Sequence, residues 1–281
     1  MLVSTKTTLN CRGRLLDLSA PIVMGILNVT PDSFYDGGKY GDLSTTLKHA
    51  EKMLAEGATI IDIGGMSSRP GAKEVPVNEE IKRSIPSVKA VRKEFPEAYI
   101  SIDTVWAEVA RQAVNAGADM VNDISSGSMD KALIPTIGKL GVPYILMHMQ
   151  GKPQTMQTAP QYDNVTTDIL DFFIQKTNKL RENGIHDIVI DPGFGFGKTI
   201  EHNYTILRKM KDFQVLNLPV LVGLSRKSMI YKVLDTTPDK ALNGTSVLHT
   251  IALQNGAKIL RAHDVREAME VVRITQTFLS V

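Results

Sequence analysis

The sequence contains one cysteine, Cys11, in 281 residues, which excludes an intrachain disulfide and a cysteine-rich metal site. It has no apolar run near the roughly 18 residues that a membrane-spanning helix needs. It also lacks an excess of charge, since 32 Lys and Arg residues against 30 Asp and Glu give a net charge of +2. That balance gives no support to nucleic acid or an anionic membrane as the main partner. Residues 1–13 lack the apolar core of a signal peptide, so a cytoplasmic protein is expected.

Eight short apolar runs recur along the chain, and each is followed by a polar or charged residue. The residues at these eight ends are Asn28, Asp62, Asp103, Asn122, His148, Asp191, Ser225 and Arg261. Helix-like segments separate the runs, and that alternation predicts parallel βαβ units. A count of eight favours a single closed (β/α)8 TIM barrel over an open doubly wound sheet. Because the carboxyl ends of all eight strands open on one face of such a barrel, the polar ends predict one active-site pocket.

The other segments fit a single domain over residues 1–281. Residues 1–20 are interpreted as a short hairpin that caps the bottom of the barrel. One face of the last helix-like segment is formed by Ala268, Val271, Val272, Thr275, Phe278 and Leu279. Two polar loops rich in Gly and Pro, at 30–41 and 64–76, follow predicted strands. They are therefore expected to lie over the pocket as lids.

The densest motif is the segment 191–198, which reads Asp-Pro-Gly-Phe-Gly-Phe-Gly-Lys. One interpretation is a turn rich in Pro and Gly with a capping aspartate. The functional interpretation is that small glycines let a flat ligand approach, an aromatic ring covers one side, and Asp191 projects inward. A buried carboxylate must be paired, and a heterocycle with adjacent N–H donors supplies a bidentate partner.

A group of cations follows the last two predicted strands. Lys227 lies in the sequence Ser-Arg-Lys-Ser, which by itself is most often a solvated surface turn, and Arg261 and His263 lie one strand further on. His263 alone would more often be a structural histidine. In this fold the loops after strands seven and eight often bind phosphate. The convergence of the three cations therefore predicts a ligand with more than one negative charge.

Polar residues after the third and fourth barrel strands are Asp103, Asn122 and Asp123. With Asp191 they are predicted to form a hydrogen-bonding floor for a polar ring, although one aspartate at such a position is often only a cap for the next helix. His148 is either a general base or metal ligand, or a histidine packed between methionines, and the second interpretation is at least as well supported. No His, Asp or Glu spacing reaches the strength of a zinc signature.

Together these motifs resemble the dihydropteroate synthase family, in the family's order and from about residue 21 to residue 279. The segments that carry the resemblance are Ile-Leu-Asn-Val-Thr-Pro-Asp-Ser-Phe at 26–34, Gly-Gly-Met-Ser-Ser-Arg-Pro-Gly-Ala at 64–72, the motif at 191–198 and Ser-Arg-Lys-Ser at 225–228. Shorter matches lie at 101–104, 121–124, 146–151 and 261–265.

The family implies a (β/α)8 barrel that condenses 6-hydroxymethyl-7,8-dihydropterin pyrophosphate with 4-aminobenzoate. The products are 7,8-dihydropteroate and pyrophosphate, on the route to folate, and sulfonamides compete with the aminobenzoate. The family also implies Mg²⁺ as the cofactor and a homodimer as the assembly.

The resemblance also implies roles for individual residues. Those implied to hold the pterin are Asp103, Asn122, Met147, Asp191, Phe196, Gly223 and Lys227. Those implied to hold the pyrophosphate are Asn28, which also binds Mg²⁺, Arg69, Arg261 and His263. Those implied to border the aminobenzoate are Ser68, Pro70, Phe196, Lys227 and Ser228. Those implied to act in catalysis are Asp103, Asp191, Lys227 and Arg261.

The sequence departs from the family in the second loop, where many members have Gly-Gly-Glu-Ser-Thr-Arg-Pro-Gly. Met66 replaces the Glu, which removes a charge, and Ser68 replaces the Thr but keeps a hydroxyl. Two alternatives stay open. A pterin-dependent methyltransferase domain has a similar barrel but no need for cations around a pyrophosphate. A non-catalytic homologue that binds pterin would be expected to have lost anion ligands.

Overall fold

The computed structural model describes residues 6–29, 43–66, 75–151, 156 and 160–280. Eight parallel strands form a closed barrel in the order β10-β3-β4-β5-β6-β7-β8-β9, which confirms the predicted (β/α)8 fold. The barrel strands are β3 (Ile22–Asn28), β4 (Ile60–Gly64), β5 (Tyr99–Asp103), β6 (Met120–Asp123), β7 (Tyr144–Met147), β8 (Ile188–Asp191), β9 (Val220–Val222) and β10 (Ala257–Ala262).

Helices follow the barrel strands and pack against their outer faces. They are α1 (Leu43–Ala55), α2 (Val77–Glu94), α3 (Ala107–Ala116), α4 (Leu133–Leu140), α5 (Val165–Glu182), α6 (Ile200–Arg208), α7 (Ser228–Tyr231), α8 (Leu242–Gln254) and α9 (Val265–Ser280). Two 3₁₀ segments, Met210–Leu216 and Pro238–Lys240, complete the connections. In the described part of the chain, every helix is too short or too polar to cross a membrane.

The predicted N-terminal hairpin is present as the antiparallel strands β1 (Thr8–Cys11) and β2 (Arg14–Asp17). Its apolar side chains form one buried cluster with the lowest layer of the barrel interior. The members of this cluster are Leu9, Cys11, Leu16, Leu18, Met24, Ile60, Met120, Ile145, Val189, Leu221 and Ile259. The hairpin thus closes the end of the barrel opposite the carboxyl ends of the strands, and leaves the upper end for ligands.

The apolar face predicted for the last helix divides into two parts. Ala268, Val271 and Val272 are buried in α9 against the barrel. Phe278 and Leu279 are 63% and 61% exposed, so they are not part of this core. The periodicity of the sequence predicts an apolar stripe along the helix. It does not predict which part of that stripe the barrel covers, because the helix extends beyond the barrel.

Candidate active site

The upper end of the barrel is lined by side chains from neighbouring strands at one level. Asn28 pairs in register with Gly64, Gly64 with Asp103, and Asp103 with Asn122. Laterally paired residues in a parallel sheet face the same side, so these side chains all face the barrel interior. Gly64 has no side chain, and the position of its missing Cβ lies 3.6 Å from Asn28 Oδ1 and 3.8 Å from Asp103 Oδ2. The absence of a side chain at Gly64 thus leaves a polar recess between Asn28 and Asp103.

Arg261 on β10 lies in the centre of this recess and pairs with two carboxylates. Its Nε donates to Asp62 Oδ2 at 2.6 Å and its Nη2 to Asp103 Oδ2 at 2.8 Å. Asn122 Nδ2 donates to the same Asp62 oxygen at 3.1 Å. Two of the three guanidinium nitrogens are therefore engaged at the floor of the pocket, whereas the sequence interpretation gave Arg261 an anionic ligand alone.

Asp62 does not end its strand, as the apolar run suggested, but lies at the middle of β4 and is wholly buried. It is one inward-facing position below Gly64, because side chains alternate along a strand. From there its carboxylate reaches both Arg261 and Asn122. Asp62 thus holds the side chains of two predicted ligand-binding residues, Arg261 and Asn122, in place.

The charges in this group shift one another's proton affinity. Burial raises the pKa of Asp103 to about 7; Arg261 opposes that shift, and the carboxylates of Asp62, Glu80 and Asp123 add to it. Burial lowers the pKa of Arg261, but attraction to Asp62 and Asp103 outweighs it and leaves the pKa above the ordinary arginine value. The recess therefore holds a permanent cation beside a carboxyl that titrates near neutral pH.

Asp123 does not join the floor that was predicted for it. It follows Asn122 on β6 and points to the opposite face of the strand. Its carboxylate accepts from Tyr144 Oη and from the backbone N–H groups of Ser125 and Gly127, each at 2.6 Å. Asp123 therefore anchors the turn after β6 instead of facing a ligand.

The turn after β8 places Asp191 and Phe196 at the other side of the pocket. Asp191 is paired in register with Met147, and its Oδ1 accepts from the backbone N–H of Gly193 at 2.7 Å. Burial raises the pKa of Asp191, while Lys227, the Gly193 N–H, Arg261 and Lys198 oppose that shift. The Asp191 side chain is thus a buried acceptor close to three cations; pairing with the N–H donors of a heterocycle, which the motif suggests, stays a prediction.

Lys227 lies over the face of Phe196, with Nζ 4.6 Å from the ring centroid, and donates to the carbonyl of Phe194. Its Nζ is 3.6 Å from where a Cβ of Gly223 would be, and its Cδ is 3.3 Å from that position at Gly195. The absence of side chains at both glycines makes room for the lysine. Burial and the charge of Arg261 lower the pKa of Lys227 to about 8, although Asp191 opposes the shift.

An apolar wall completes the upper pocket. It is formed by Met66, Val105, Ile124 and Met147, with Phe196 and Trp106 packed against it. Met66, the residue that departs from the family pattern, is buried in this wall.

A buried carboxyl, Glu80, lies behind the neighbouring Gly65. Its Cγ is 2.9 Å from the position that a Cβ of Gly65 would occupy. Burial raises the pKa of Glu80 to about 7, against the effects of Thr104 and Arg83.

Histidines 148 and 263 have different surroundings. His148 is buried, and its ring lies edge-on to Phe172 with centroids 4.8 Å apart. Burial and the neighbouring Lys198 lower the pKa of His148 to about 2, so it is the packed histidine of the two interpretations. His263 is exposed at the barrel mouth, with Nδ1 3.1 Å from Ser225 Oγ.

Arg226, in the same motif as Lys227, is directed away from the pocket. Its Nε and Nη2 donate to the two oxygens of Asp264, each at 2.8 Å, and its Nη1 donates to the carbonyls of Pro238 and Asp239. This pairing ties the turn after β9 to the start of α9. Lys227 faces the pocket, and Ser228 begins α7 half-buried beside it.

Three predicted site residues, Ser68, Arg69 and Pro70, lie outside the described residues, as does most of each predicted lid loop. Within the described ranges, no group of three or more His, Cys, Asp or Glu side chains is arranged to hold a metal ion. Asn28 contributes one half-buried amide oxygen at the end of β3. Magnesium is usually bound by one or two carboxylates together with phosphate oxygens and water, so an ion held by the Asn28 amide oxygen would need most of its ligands from the pyrophosphate and from water.

Sequence reasoning placed Asp62 and Ser225 at the polar ends of two apolar runs and Lys198 in the motif at 191–198, but it gave none of the three a specific role in the site. A signal for such a role existed for Asp62 and Lys198. Asp62 interrupts the run Ile-Ile-Asp-Ile, where a strand buried on both faces should be apolar throughout. Lys198 is the only cation in a turn of glycines and aromatics. For Ser225 the sequence gives no such signal, since its partner His263 lies 38 residues away.

The chain is similar to a family of known enzymes. A family model described as pterin binding enzyme matches residues 24–263. Dihydropteroate synthase of Escherichia coli K12 is 48% identical over 271 residues, which cover 96% of this chain and 95% of that protein. The solved structure of Yersinia pestis dihydropteroate synthase with a sulfonamide drug has a TM-score of 0.92 and 44% identity, over 98% of this chain and 100% of that chain. That of the Xanthomonas albilineans enzyme with 4-aminobenzoic acid has a TM-score of 0.92 and 38% identity, over 99% and 100%.

Proposed function

The chain belongs to the dihydropteroate synthase family of pterin-binding enzymes, and on that basis we propose that it condenses 6-hydroxymethyl-7,8-dihydropterin pyrophosphate with 4-aminobenzoate. The products are 7,8-dihydropteroate and pyrophosphate. Members of this family are enzymes of the transferase class. Here the group transferred is a pterin-methyl group and the acceptor is an aryl amine, which makes the reaction a transfer of an alkyl or aryl group other than methyl.

The observation that carries the proposal is the convergence of Asp103, Asn122, Asp191 and Lys227 on one buried pocket. A pterin ring has adjacent N–H donors and a carbonyl acceptor on the same edge. The Asp191 carboxylate accepts from the donors, and Lys227 donates to the carbonyl, in charge-assisted hydrogen bonds. Asn122 and Asp103 serve the remaining polar atoms of the ring. Met147 and Phe196 cover its faces, and Gly223 leaves room at its edge.

The pyrophosphate is assigned to Asn28, Arg69, Arg261 and His263. Arg261 and His263 follow β10 from the floor to the mouth of the pocket, so a pyrophosphate attached to the pterin methylene meets both. Asn28 supplies an oxygen ligand for Mg²⁺. When bound, the ion neutralises charge on the phosphate oxygens and makes pyrophosphate a better leaving group.

The aminobenzoate is assigned to the mouth of the pocket, beside Ser68, Pro70, Phe196, Lys227 and Ser228. Lys227 is between the pterin pocket and α7, so its ammonium group can serve both the pterin carbonyl and the aminobenzoate carboxylate. The ring of Phe196 packs against the aromatic ring of the second substrate. This arrangement directs the amine of aminobenzoate at the pterin methylene.

In the reaction, the bond between the pterin methylene carbon and the pyrophosphate oxygen breaks, and the electron pair leaves with the pyrophosphate. A bond from that carbon to the amine nitrogen forms, and the proton that the nitrogen then loses goes to the departing pyrophosphate or to water. An aryl amine is a weak nucleophile, so departure of the leaving group limits the rate. Arg261 and His263 stabilise the charge on the departing pyrophosphate. Asp103 and Asp191 stabilise the positive charge that spreads from the methylene into the ring, in a dissociative displacement. Asp62 holds Arg261 in place for this role.

We also propose that the enzyme is a cytoplasmic homodimer that uses Mg²⁺. Support for the dimer comes from exposed apolar side chains on two packed helices, Val247 on α8 and Ile274, Phe278 and Leu279 on α9, which are 51% to 70% exposed. Apolar side chains grouped in this way are typical of a surface that a second copy covers. A cytoplasmic location follows from the substrate, because a pyrophosphate ester does not cross membranes unaided.

The experiment that tests the activity is a coupled assay for pyrophosphate release with both substrates and Mg²⁺. We expect release of one pyrophosphate for each 7,8-dihydropteroate formed, and inhibition by a sulfonamide that aminobenzoate relieves. Pterin binding without any release of pyrophosphate would instead identify a non-catalytic homologue. Methyl transfer from a reduced folate would identify a methyltransferase domain, which has no need of Asn28, Arg69 and Arg261 around a pyrophosphate.

A further inference from the structure

The turn after β8 packs unusually close to the segment that follows β7. Gly193 and Gly197 have φ values of +69° and +60°, in the left-handed region that favours glycine. A Cβ on Gly193 would clash with the carbonyl oxygen of His148, and one on Gly197 with the carbonyl oxygen of Gln150. The two backbones therefore touch without side chains between them. Such an approach brings carbonyl dipoles together in a buried space, and these need donors.

Lys198 supplies those donors. Its side chain is only 3% exposed, and its Nζ lies 3.0 Å from the carbonyl oxygens of Gly193 and Phe196 and 3.3 Å from that of His148. A fourth acceptor, the Nδ1 of His148, is 3.1 Å away. An ammonium group donates up to three hydrogen bonds and accepts no hydrogen bond, so it fits a site that consists only of acceptors.

When Lys198 is protonated, its contact with His148 fixes the tautomer of that ring. Because the ammonium group only donates, His148 Nδ1 accepts, and the remaining ring proton is on Nε2. The ring is held in that orientation against Phe172. His148 and Lys198 thus form one buried unit that joins the end of β7 to the turn after β8.

We propose that Lys198 is a positioning residue for pterin binding, because it fixes the turn that carries Asp191 and Phe196. This inference rests on the proposed function. Gly193, whose carbonyl accepts from Lys198, donates its N–H to Asp191 Oδ1. Phe196, whose carbonyl also accepts from Lys198, places its ring beneath Lys227. One buried cation thus sets the geometry of two residues that contact the pterin, without itself contacting the ligand.

The test uses Lys198→Met, which keeps the aliphatic stem and removes all three donors. The matched control is Lys176→Met, because Lys176 is also partly buried and donates to a backbone carbonyl, that of Ser126, at 3.0 Å. The probe is 6-hydroxymethylpterin without phosphate, measured by calorimetry. We expect Lys198→Met to weaken its binding by about tenfold or more, as loss of charge-assisted hydrogen bonds predicts. We expect the KM for the pterin substrate to rise by a similar factor, with a smaller effect on kcat, while Lys176→Met matches the parent.

A second measurement does not depend on the fold of the variant. Burial lowers the pKa of Lys198 to about 7, so nitrogen-15 NMR of His148 in the unaltered protein is expected to show an unprotonated Nδ1 and a protonated Nε2 below about pH 7. A proton on Nδ1 would overturn the proposal, and so would a Lys198→Met protein that binds 6-hydroxymethylpterin as tightly as the parent or as tightly as Lys176→Met. Failure of the proposed function is distinct, since the parent itself would then release no pyrophosphate, whether or not it binds this probe.

Discussion

Arg261 donates from Nε to the carboxylate of Asp62 over 2.6 Å inside the barrel, although 199 residues separate the two along the chain. Their strands, β10 and β4, are not neighbours, because β3 lies between them. The contact therefore crosses the seam where the first and last barrel strands meet. A buried arginine has to be paired, and this pairing fixes its guanidinium between the floor of the pocket and the mouth.

The role of Asp62 as a support for Arg261 is tested by Asp62→Asn, which keeps the size and removes the charge. Loss of a charge-assisted hydrogen bond costs about 1.5–3 kcal/mol, so kcat/KM is expected to fall by a factor of about ten to a hundred. The matched control is Asp119→Asn. Asp119 is also buried and paired with two arginines, Arg14 and Arg92, but at the bottom of the barrel. Asp119→Asn should lower the thermal midpoint of unfolding and leave KM for both substrates unchanged. Equal losses of kcat/KM in Asp62→Asn and Asp119→Asn would contradict the role of Asp62 as a support for Arg261.

A comparison of Arg261→Gln with Lys227→Met separates the binding of the pterin from the binding of the aminobenzoate. Both variants are expected to lose affinity for phosphate-free 6-hydroxymethylpterin by about tenfold, since Lys227 is the proposed donor to the pterin carbonyl and Arg261 is paired with Asp103. Only Lys227→Met should also weaken aminobenzoate binding. Arg226→Gln serves as control, because Arg226 makes an equally good ion pair with Asp264 outside the pocket. If Arg261→Gln binds this pterin like the parent, its contact with Asp103 plays no part in pterin recognition.

The affinity for the pterin is expected to depend on pH through Lys227. Burial lowers the pKa of Lys227 to about 8, and only the protonated amine is a charged donor to the pterin carbonyl. Pterin affinity should therefore be highest below about pH 8 and fall as the pH rises through that value. Calorimetric titration of 6-hydroxymethylpterin from pH 7 to pH 9.5 measures this, with Lys227→Arg expected to show no such fall. A profile that is flat for the parent would contradict the assignment of Lys227.

Stability is expected to depend on pH through Glu80. Burial raises the pKa of Glu80 to about 7, above the ordinary value of 4.5, so the folded protein binds more protons than the unfolded chain between these two values. The stabilisation of the folded protein by protonated Glu80 is complete below about pH 4.5 and is lost as the pH rises through about 7. Glu80→Gln should therefore be more stable than the parent at pH 8, by at most about 3 kcal/mol, and its stability should vary less with pH in this window.

Urea unfolding at pH 5 and pH 8 measures that difference. Glu79→Gln is the matched control, because Glu79 is the preceding residue of α2 and forms a partly exposed i,i+4 pair with Arg83. Its effect should be a few tenths of a kcal/mol and independent of pH in this range. The same change in stability from pH 5 to pH 8 in Glu80→Gln as in the parent would refute the role of Glu80.

The sequence by itself determined the barrel and the position of the pocket. Strand-forming runs and helices alternate eight times, and parallel strands connected in this way close into one architecture. The polar residues that end the runs, Asp103, Asn122, Asp191 and Arg261 among them, had to meet on one face for the same reason. The motifs at 191–198 and 225–228 identified the family, because their residue types and order are specific to it.

Tertiary structure alone decided how those residues pair. Strand register placed Asp62 one level below the pocket rather than at its rim, and turned Asp123 outward although Asn122 beside it faces inward. Contacts such as those of Arg261 with Asp62, or Lys198 with His148, join residues that are 199 and 50 positions apart. Local patterns carry no information about such distances, because the pairing depends on how far each strand is shifted when the barrel closes.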